Sequence, residues 1–327
     1  MKEISKEVVI GVDLGGSAIR LGVINDHGRL SGFKSIEIPQ SRKKEIVLTL
    51  ITDSIREHIQ NQISIGNKVL AVGIGSPGII NPDKGLVITS PNFPGWRNVP
   101  LKSFLEKSIN LPVFLDNDAN LAAFGEKWRG AGRRVNSLVC LTMGTGIGSG
   151  IILDGEVWRG AHGMSGEIGH ITVNPEGPRC NCGNYGCLES YSSATGMVRS
   201  AIESIKKRKR TILLKLATGE IKKITAKLIH EAAVKGDRLS LNILKEAGTY
   251  LGIAIANLMN ILNPDMIVLT GAITGSWDFF MPAAMEEVER RALKTIVGRT
   301  RIVKGKLSGT AGVIGAAGIA WRQLGHI

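Results

Sequence analysis

The chain has 327 residues, enough for two domains at about 150 residues each. Hydrophobic residues at 43% and charged residues at 21% exclude a disordered chain, and aromatics at 5% argue against a stacking surface for single-stranded nucleic acid. The net charge of +13 attracts polyanions and suits a phosphorylated cofactor.

No run of about 20 apolar residues occurs, and the first seven residues are too charged for a signal peptide. The expected location is the cytoplasm, with no membrane partner. Residues 8–14 are apolar and β-branched, and predict a buried strand. Residues 18–24 return as a second strand and 29–38 as a third. Ile46, Leu50, Ile51 and Ile55 give residues 44–62 a helical spacing. Residues 69–74 predict a strand, 100–108 a helix, 113–115 a short strand and 117–129 a helix. Residues 138–143 open a second half: strand, Gly-rich hairpin, then a strand over 147–153. The plan of the N-terminus is thereby repeated, which suggests an internally duplicated α/β fold. Helices over 225–235 and 238–262, a strand over 266–269 and a Gly/Ala-rich helix over 311–324 complete the pass. The basic run 206–210 reads as a solvated helix end rather than a nucleic-acid patch.

Asp13-Leu14-Gly15-Gly16-Ser17 lies between two strands, so it is neither a P-loop nor a dinucleotide fingerprint; both need a helix directly after the turn. Its glycines let backbone N–H groups approach phosphate oxygens, and Ser17 adds a hydroxyl. Asp13, at a strand end, can hold Mg²⁺ through water. Taken alone, this turn is better explained as an ordinary hairpin. Gly144-Thr145-Gly146-Ile147-Gly148 is a second such turn at the same place in the second half. The pair points to a nucleoside triphosphate gripped between two domains. Gly271, in Thr270-Gly271-Ala272, offers a flat backbone surface for adenosine or a plain strand-to-helix turn.

Three of the four cysteines fall within eight residues. His170, Cys180, Cys182 and Cys187 make a complete Cys₃His set, which fits structural Zn²⁺ and leaves no position open for a catalytic water. Glu167 and Glu189 flank that loop. Asp116-Asn117-Asp118 stands at a strand end before a helix, where one residue serves as an N-cap and another faces a cleft. Asn92, in Ser90-Pro91-Asn92, is a further polar candidate or a turn residue.

Together these residues resemble the ROK family of sugar kinases and repressors, in the hexokinase–actin–Hsp70 fold superfamily. The likeness spans nearly the whole chain. Its most specific part is Cys180-Asn181-Cys182-Gly183-Asn184-Tyr185-Gly186-Cys187-Leu188-Glu189, with Glu167-Ile168-Gly169-His170 beside it. Gly75-Ser76-Pro77-Gly78 resembles the family's sugar-side turn, and Asn117-Asp118 its sugar-binding Asn and catalytic Asp. Ser17 stands where the family usually has Thr and keeps the hydroxyl. Leu269-Thr270-Gly271-Ala272 has fewer glycines than the usual adenosine motif.

The resemblance implies a two-domain actin-like ATPase (ribonuclease H-like) α/β fold with an internal duplication and a cleft between domains. The implied domains are 1–117 with 311–327, and 118–310 with the zinc loop. The implied activity is ATP-dependent phosphorylation of the 6-hydroxyl of glucose. Asp118 is the implied base, and Gly78, Asn92, Asn117, Glu167, His170 and Glu189 hold the sugar. Asp13, Gly15, Gly16, Ser17, Gly144, Thr145, Gly146 and Gly271 hold ATP with Mg²⁺. An N-acetylmannosamine or N-acetylglucosamine kinase shares the same signatures; a non-catalytic sugar-sensing regulator fits the intact motifs less well. The first phosphate strand begins by residue 8, so no preceding helix-turn-helix and no nucleic-acid partner are expected. The family's habit implies a homodimer or higher homo-oligomer.

Overall fold

Alternation decides which face each strand residue meets. In β1 (Glu7–Leu14), Val8, Ile10, Val12 and Leu14 point to one side of the sheet and Val9 and Gly11 to the other. All of these aliphatic side chains are buried, so both faces of the strand are covered. The computed structural model describes residues 7–327. β2 (Ala18–Asn25) pairs antiparallel with β1, and β3 (Leu30–Glu37) with β2. α1 (Lys44–Ser64) crosses to β4 (Lys68–Ser76), which lies parallel to β1. β5 (Ile79–Asn81), β6 (Leu86–Thr89) and β7 (Arg97–Val99) form a small antiparallel sheet of their own. The sequence reading left this sheet unassigned, because three or four residues are too few to display a period. α2 (Leu101–Ile109) leads to β8 (Val113–Asn117), parallel to β4, and α3 (Asp118–Trp128) follows at once. The first sheet has the order β3-β2-β1-β4-β8.

β9 (Leu138–Met143), β10 (Ile147–Leu153) and β11 (Glu156–Val157) open the second half. A helical stretch comes next: α4 (Glu189–Ser192), α5 (Ala194–Lys206), α6 (Leu213–Leu216), α7 (Ala226–Val234) and α8 (Arg238–Leu262). β12 (Met266–Thr270), α9 (Trp277–Arg291) and β13 (Arg301–Lys304) finish it. The second sheet has the order β11-β10-β9-β12-β13. Strand for strand this repeats the first sheet, so the duplication expected from the two Gly-rich hairpins is present.

By internal contacts the chain forms two compact units. One takes the described residues through Cys140, then Gly150–Gly166 and Gly305–Ile327; the other takes Leu141–Ser149 and Glu167–Lys304. In the first, Val8, Ile10, Val12 and Leu14 share a core with Val47, Ile51 and Ile55 of α1 and Leu101 and Leu105 of α2. The opposite face of that sheet is covered by the last helix, α10 (Ala311–Gln323). Contact there is backbone to backbone. A Cβ at Gly11 would overlap the carbonyl oxygen of Val313, and one at Gly73 that of Ala316. Trp321 closes the far end, its Nε1 donating to the Ile24 carbonyl at 3.2 Å. α3, which the sequence reading gave to the second domain, packs in this first unit. Gly125 lies so close to α10 that a Cβ would overlap the Ala311 carbonyl. Among the described residues no helix is long and apolar enough to cross a membrane.

Candidate active site

β1, β4 and β8 are parallel, so their carboxyl ends share one edge of the first sheet. The register sets Asp13 opposite Gly75, Gly75 opposite Asp116, and Ser76 opposite Asn117. The edge beyond the carboxyl ends of parallel strands is where open α/β sheets take ligands. The turn Gly15-Gly16-Ser17, the turn ending at Gly78 and the start of α3 thus converge there. Asn92 joins them: a Cβ on Gly16 would overlap its side-chain amide.

Asn117 is the N-cap of α3. Its Oδ1 accepts from the N–H groups of Ala119 at 2.9 Å and Asn120 at 3.2 Å. Its Nδ2 donates to the Gly78 carbonyl at 3.0 Å, which leaves one amide N–H for a ligand. Gly78 has φ +110° and its Cα faces the Thr89 backbone, so only glycine fits there. The cap ties the two turns together, a role the sequence offered only as one of two readings. Asp118 is the first residue of α3, and its Oδ1 accepts the Ala119 N–H at 2.9 Å.

Behind Asn117 and Asp118 lies a pair the sequence reading missed. Asp116 Oδ2 accepts from Arg159 Nη2 at 2.5 Å and Nε at 2.9 Å. Asp116 Oδ1 accepts the Asn117 N–H at 2.7 Å and Asn120 Nδ2 at 3.2 Å. All four bonds end on a carboxylate that is 3% exposed. Arg159 is 43 residues away in sequence, so no local spacing betrays it.

Asp13 sits beneath α10, against Gly312, and accepts from Arg20 Nη1 at 3.2 Å. Burial pushes its carboxyl above the ordinary range, and Arg20 offsets only part of that. A partly buried carboxylate beside a phosphate-type turn has the chemistry to take a hydrated divalent cation.

The second hairpin is held from its carbonyl side. The Gly144 carbonyl accepts the Ala194 N–H at 2.9 Å, and the Thr145 carbonyl accepts Thr195 Oγ1 at 2.8 Å. Thr145 itself is exposed. Glu189 Oε2 accepts the Ile147 N–H at 2.9 Å and lies against Gly146. Glu189 therefore touches the turn assigned to phosphate as well as the cysteine loop. Gly271, at the end of β12, has φ +98° and abuts the Met143 backbone, next to Gly144. The adenosine and second phosphate candidates are thus brought together.

His170, Cys180, Cys182 and Cys187 offer ligand atoms that all lie within 4.8 Å of one another. Cys182 Sγ is 3.7 Å from Cys187 Sγ, and His170 Nδ1 is 3.8 Å from Cys180 Sγ. Three thiols and one imidazole at these separations fit a tetrahedral Zn²⁺. Nδ1 faces the thiols, while Nε2 is 3.9 Å from Glu167 Oε2 on the outer side. The loop is held by a β-bridge between Thr172 and Cys187 and by the Val173 N–H bond to the Gly186 carbonyl at 2.9 Å. Cys140 is apart from this set, fully buried in β9, with its thiol held protonated by burial.

The chain was compared with known proteins. A glucokinase of Thermotoga maritima is 39% identical over 317 residues, covering 97% of this chain and 98% of that one. A xylose repressor of Caldicellulosiruptor bescii is 35% identical over 96% of this chain and 78% of its own length. A glucokinase of Streptomyces griseus, solved with glucose and AMPPNP, superposes with a TM-score of 0.81 at 34% identity, covering 97% of this chain and 99% of that one. The family model for ROK matches residues 9–323. With its duplicated actin-like α/β fold and its Cys₃His loop, the chain belongs to the ROK family.

Proposed function

We propose that this chain is an ATP-dependent glucokinase that phosphorylates the 6-hydroxyl of glucose. The observation that carries the reading is the single sheet edge on which Asp13, the Gly15-Gly16-Ser17 turn, Gly78 and Asp118 meet. Asp118 accepts the proton of the 6-hydroxyl as that oxygen attacks the γ-phosphorus. The bond from the γ-phosphorus to the β,γ-bridging oxygen breaks, and ADP leaves with the electron pair. The free Asn117 N–H, Asn92, Gly78, Glu167, Glu189 and the outer nitrogen of His170 hold the remaining sugar hydroxyls. Backbone N–H groups of Gly15, Gly16 and Gly144 to Gly146, with the Ser17 and Thr145 hydroxyls, hold the phosphates, and Gly271 lies under the adenosine. Such donors act mainly by position and field, as phosphoryl transfer requires. Mg²⁺ when bound neutralises charge on the phosphates, and Asp13 is the group that reaches it through water. Zn²⁺ fits His170, Cys180, Cys182 and Cys187 and fixes the imidazole that faces the sugar. The enzyme works in the cytoplasm as a homodimer.

ADP release measured over a panel of hexoses and N-acetylhexosamines tests the reading. Glucose should give the highest kcat/KM. A preference for N-acetylmannosamine or N-acetylglucosamine would reassign the substrate. No ADP release with any sugar, together with intact glucose binding, would make the chain a sugar sensor.

A further inference from the structure

The second unit contains a cavity of about 830 Å³ that holds none of the residues assigned above. Ligand pockets commonly have this volume. Six cations line it: Lys209 and Arg210 beyond the end of α5, Arg238 and Lys245 on α8, and Arg290 and Arg291 on α9. Two carboxylates, Glu246 and Glu287, share it, which leaves a surplus of four positive charges. Glu287 is already engaged, bonded to Arg290 Nη2 and Arg291 Nε, each at 2.6 Å. Glu246 feels Lys209, while Arg210, Arg238 and Lys245 form no ion pair among the described residues.

The floor is rigid. Asn174 Nδ2 donates to Tyr191 Oη at 2.9 Å and Tyr250 Oη at 3.0 Å, and the two rings stack at 3.7 Å. Burial pushes the Tyr191 phenol up to about 12, so it stays neutral. Leu239, Ile243 and Ile253 add apolar surface between the charges.

We propose that this cavity is a binding site for a small organic polyanion carrying two phosphate groups on an uncharged body. Cations arrive from three separate elements, an arrangement that suits a ligand with more than one phosphate group. Arginine forks suit phosphate oxygens, and a charge-assisted bond is about twice as strong as a neutral one. The concave shape, with Leu239, Ile243 and Ile253 among the charges, favours a compact ligand over an extended nucleic acid.

The test is isothermal titration calorimetry on the full chain with fructose 1,6-bisphosphate as the probe. Glucose and AMPPNP are kept saturating, so that phosphates cannot enter the sites proposed above. Pyrophosphate serves as a second probe, and sodium sulfate at matched ionic strength as the control. One bisphosphate should bind per chain. Arg238→Ala with Lys245→Ala should weaken it about tenfold or more, since two charge-assisted bonds are lost. Both side chains are exposed, so the fold should hold, and glucose turnover should be unchanged. Arg210→Glu, from a different element, should weaken binding in the same way. The readout is heat rather than turnover, so failure of the kinase assignment would not be mistaken for failure here. Three results would overturn the proposal: no heat with bisphosphate, equal affinity in all the variants, or sulfate binding as well as bisphosphate. A charge reversal that instead splits a dimer into monomers would give the cavity to a second copy of the chain and also overturn it.

Discussion

Arg159 grips Asp116 with two nitrogens at 2.5 and 2.9 Å, two residues before Asp118. The grip fixes the backbone from which Asp118 is presented, because the other oxygen of Asp116 holds the Asn117 N–H. Arg159→Ala leaves that buried carboxylate without its counter-charge. Breaking such a pair costs roughly 3–5 kcal/mol. Arg159 is itself 31% exposed, so water recovers part of this. A loss of about 2–3 kcal/mol is expected in urea unfolding, with a lower kcat. Arg159→Lys should restore most of the stability and less of the turnover, because one ammonium cannot replace the fork. Equal kcat in wild type and Arg159→Ala would separate the pair from Asp118.

Asp118→Asn keeps the shape of the helix start and removes the proposed base. Turnover should fall about 10²–10⁴-fold. Glucose affinity, read by calorimetry, should change little. Near-normal kcat in the variant would remove Asp118 from its role.

Gly144 and Gly146 make a controlled comparison. A Cβ at Gly144 meets nothing within 4 Å, so Gly144→Ala should leave the fold intact. Any rise in the KM for ATP then reports a side chain blocking the phosphates. Gly146→Ala drives a methyl into the Glu189 carboxylate and should disturb the KM for glucose as well. An unchanged ATP KM in Gly144→Ala would favour a plain hairpin.

Elemental analysis should find one zinc per chain. Removing it should affect ATP less than glucose, because the phosphate turns lie elsewhere in the chain. The Glu189 bond to Ile147 still couples the loop to the second of those turns. Cys182→Ser or chelation should raise the KM for glucose most, since His170 and both flanking carboxylates are on the loop. A smaller rise for ATP should accompany it. Full activity in zinc-free protein would leave the cysteines without this role.

Asp13 gives a pH signature. Its carboxyl is raised above 3.8 by burial, so folding favours the protonated form. That contribution is present below about pH 4 and is lost as the pH rises through the folded value. Asp13→Asn should therefore match or exceed wild-type thermal stability near pH 7, and the difference should shrink toward about pH 4. Turnover should drop at all pH values. A variant that is less stable at neutral pH than at acid pH, relative to wild type, would contradict the burial argument.

The sequence made the long elements legible. α8 runs over residues 238–262 as its spacing predicts, because two dozen residues sample many turns of one apolar face. The hairpins were legible because glycine pairs between β-branched runs have few other uses, and the metal loop because four ligands fall within eighteen residues. Partners distant in the chain were not legible. Arg159 joins Asp116 only after β10 and β11 have turned back, and Lys209 meets Arg290 in one cavity only once α5, α8 and α9 have packed. The basic run 206–210 is exposed, as a solvated helix end should be, yet two of its members line that cavity.

The packing of α10 on β1 and β4 bears on how the chain is made. Val9, Ala71 and Ile24 lie on a sheet face whose cover, from Val313 to Trp321, is synthesised after the whole of the second unit. Domains ordinarily form as units while synthesis proceeds, N-terminal first. Here the first sheet precedes the second unit in the chain but keeps one apolar face bare until residues 313–321 follow, whereas residues 141–149 and 167–304 of the second unit are complete before that. The N-terminal half of the sequence is thus the later half to mature, and a ribosome stalled near residue 305 would display a finished second unit while the first sheet is still open.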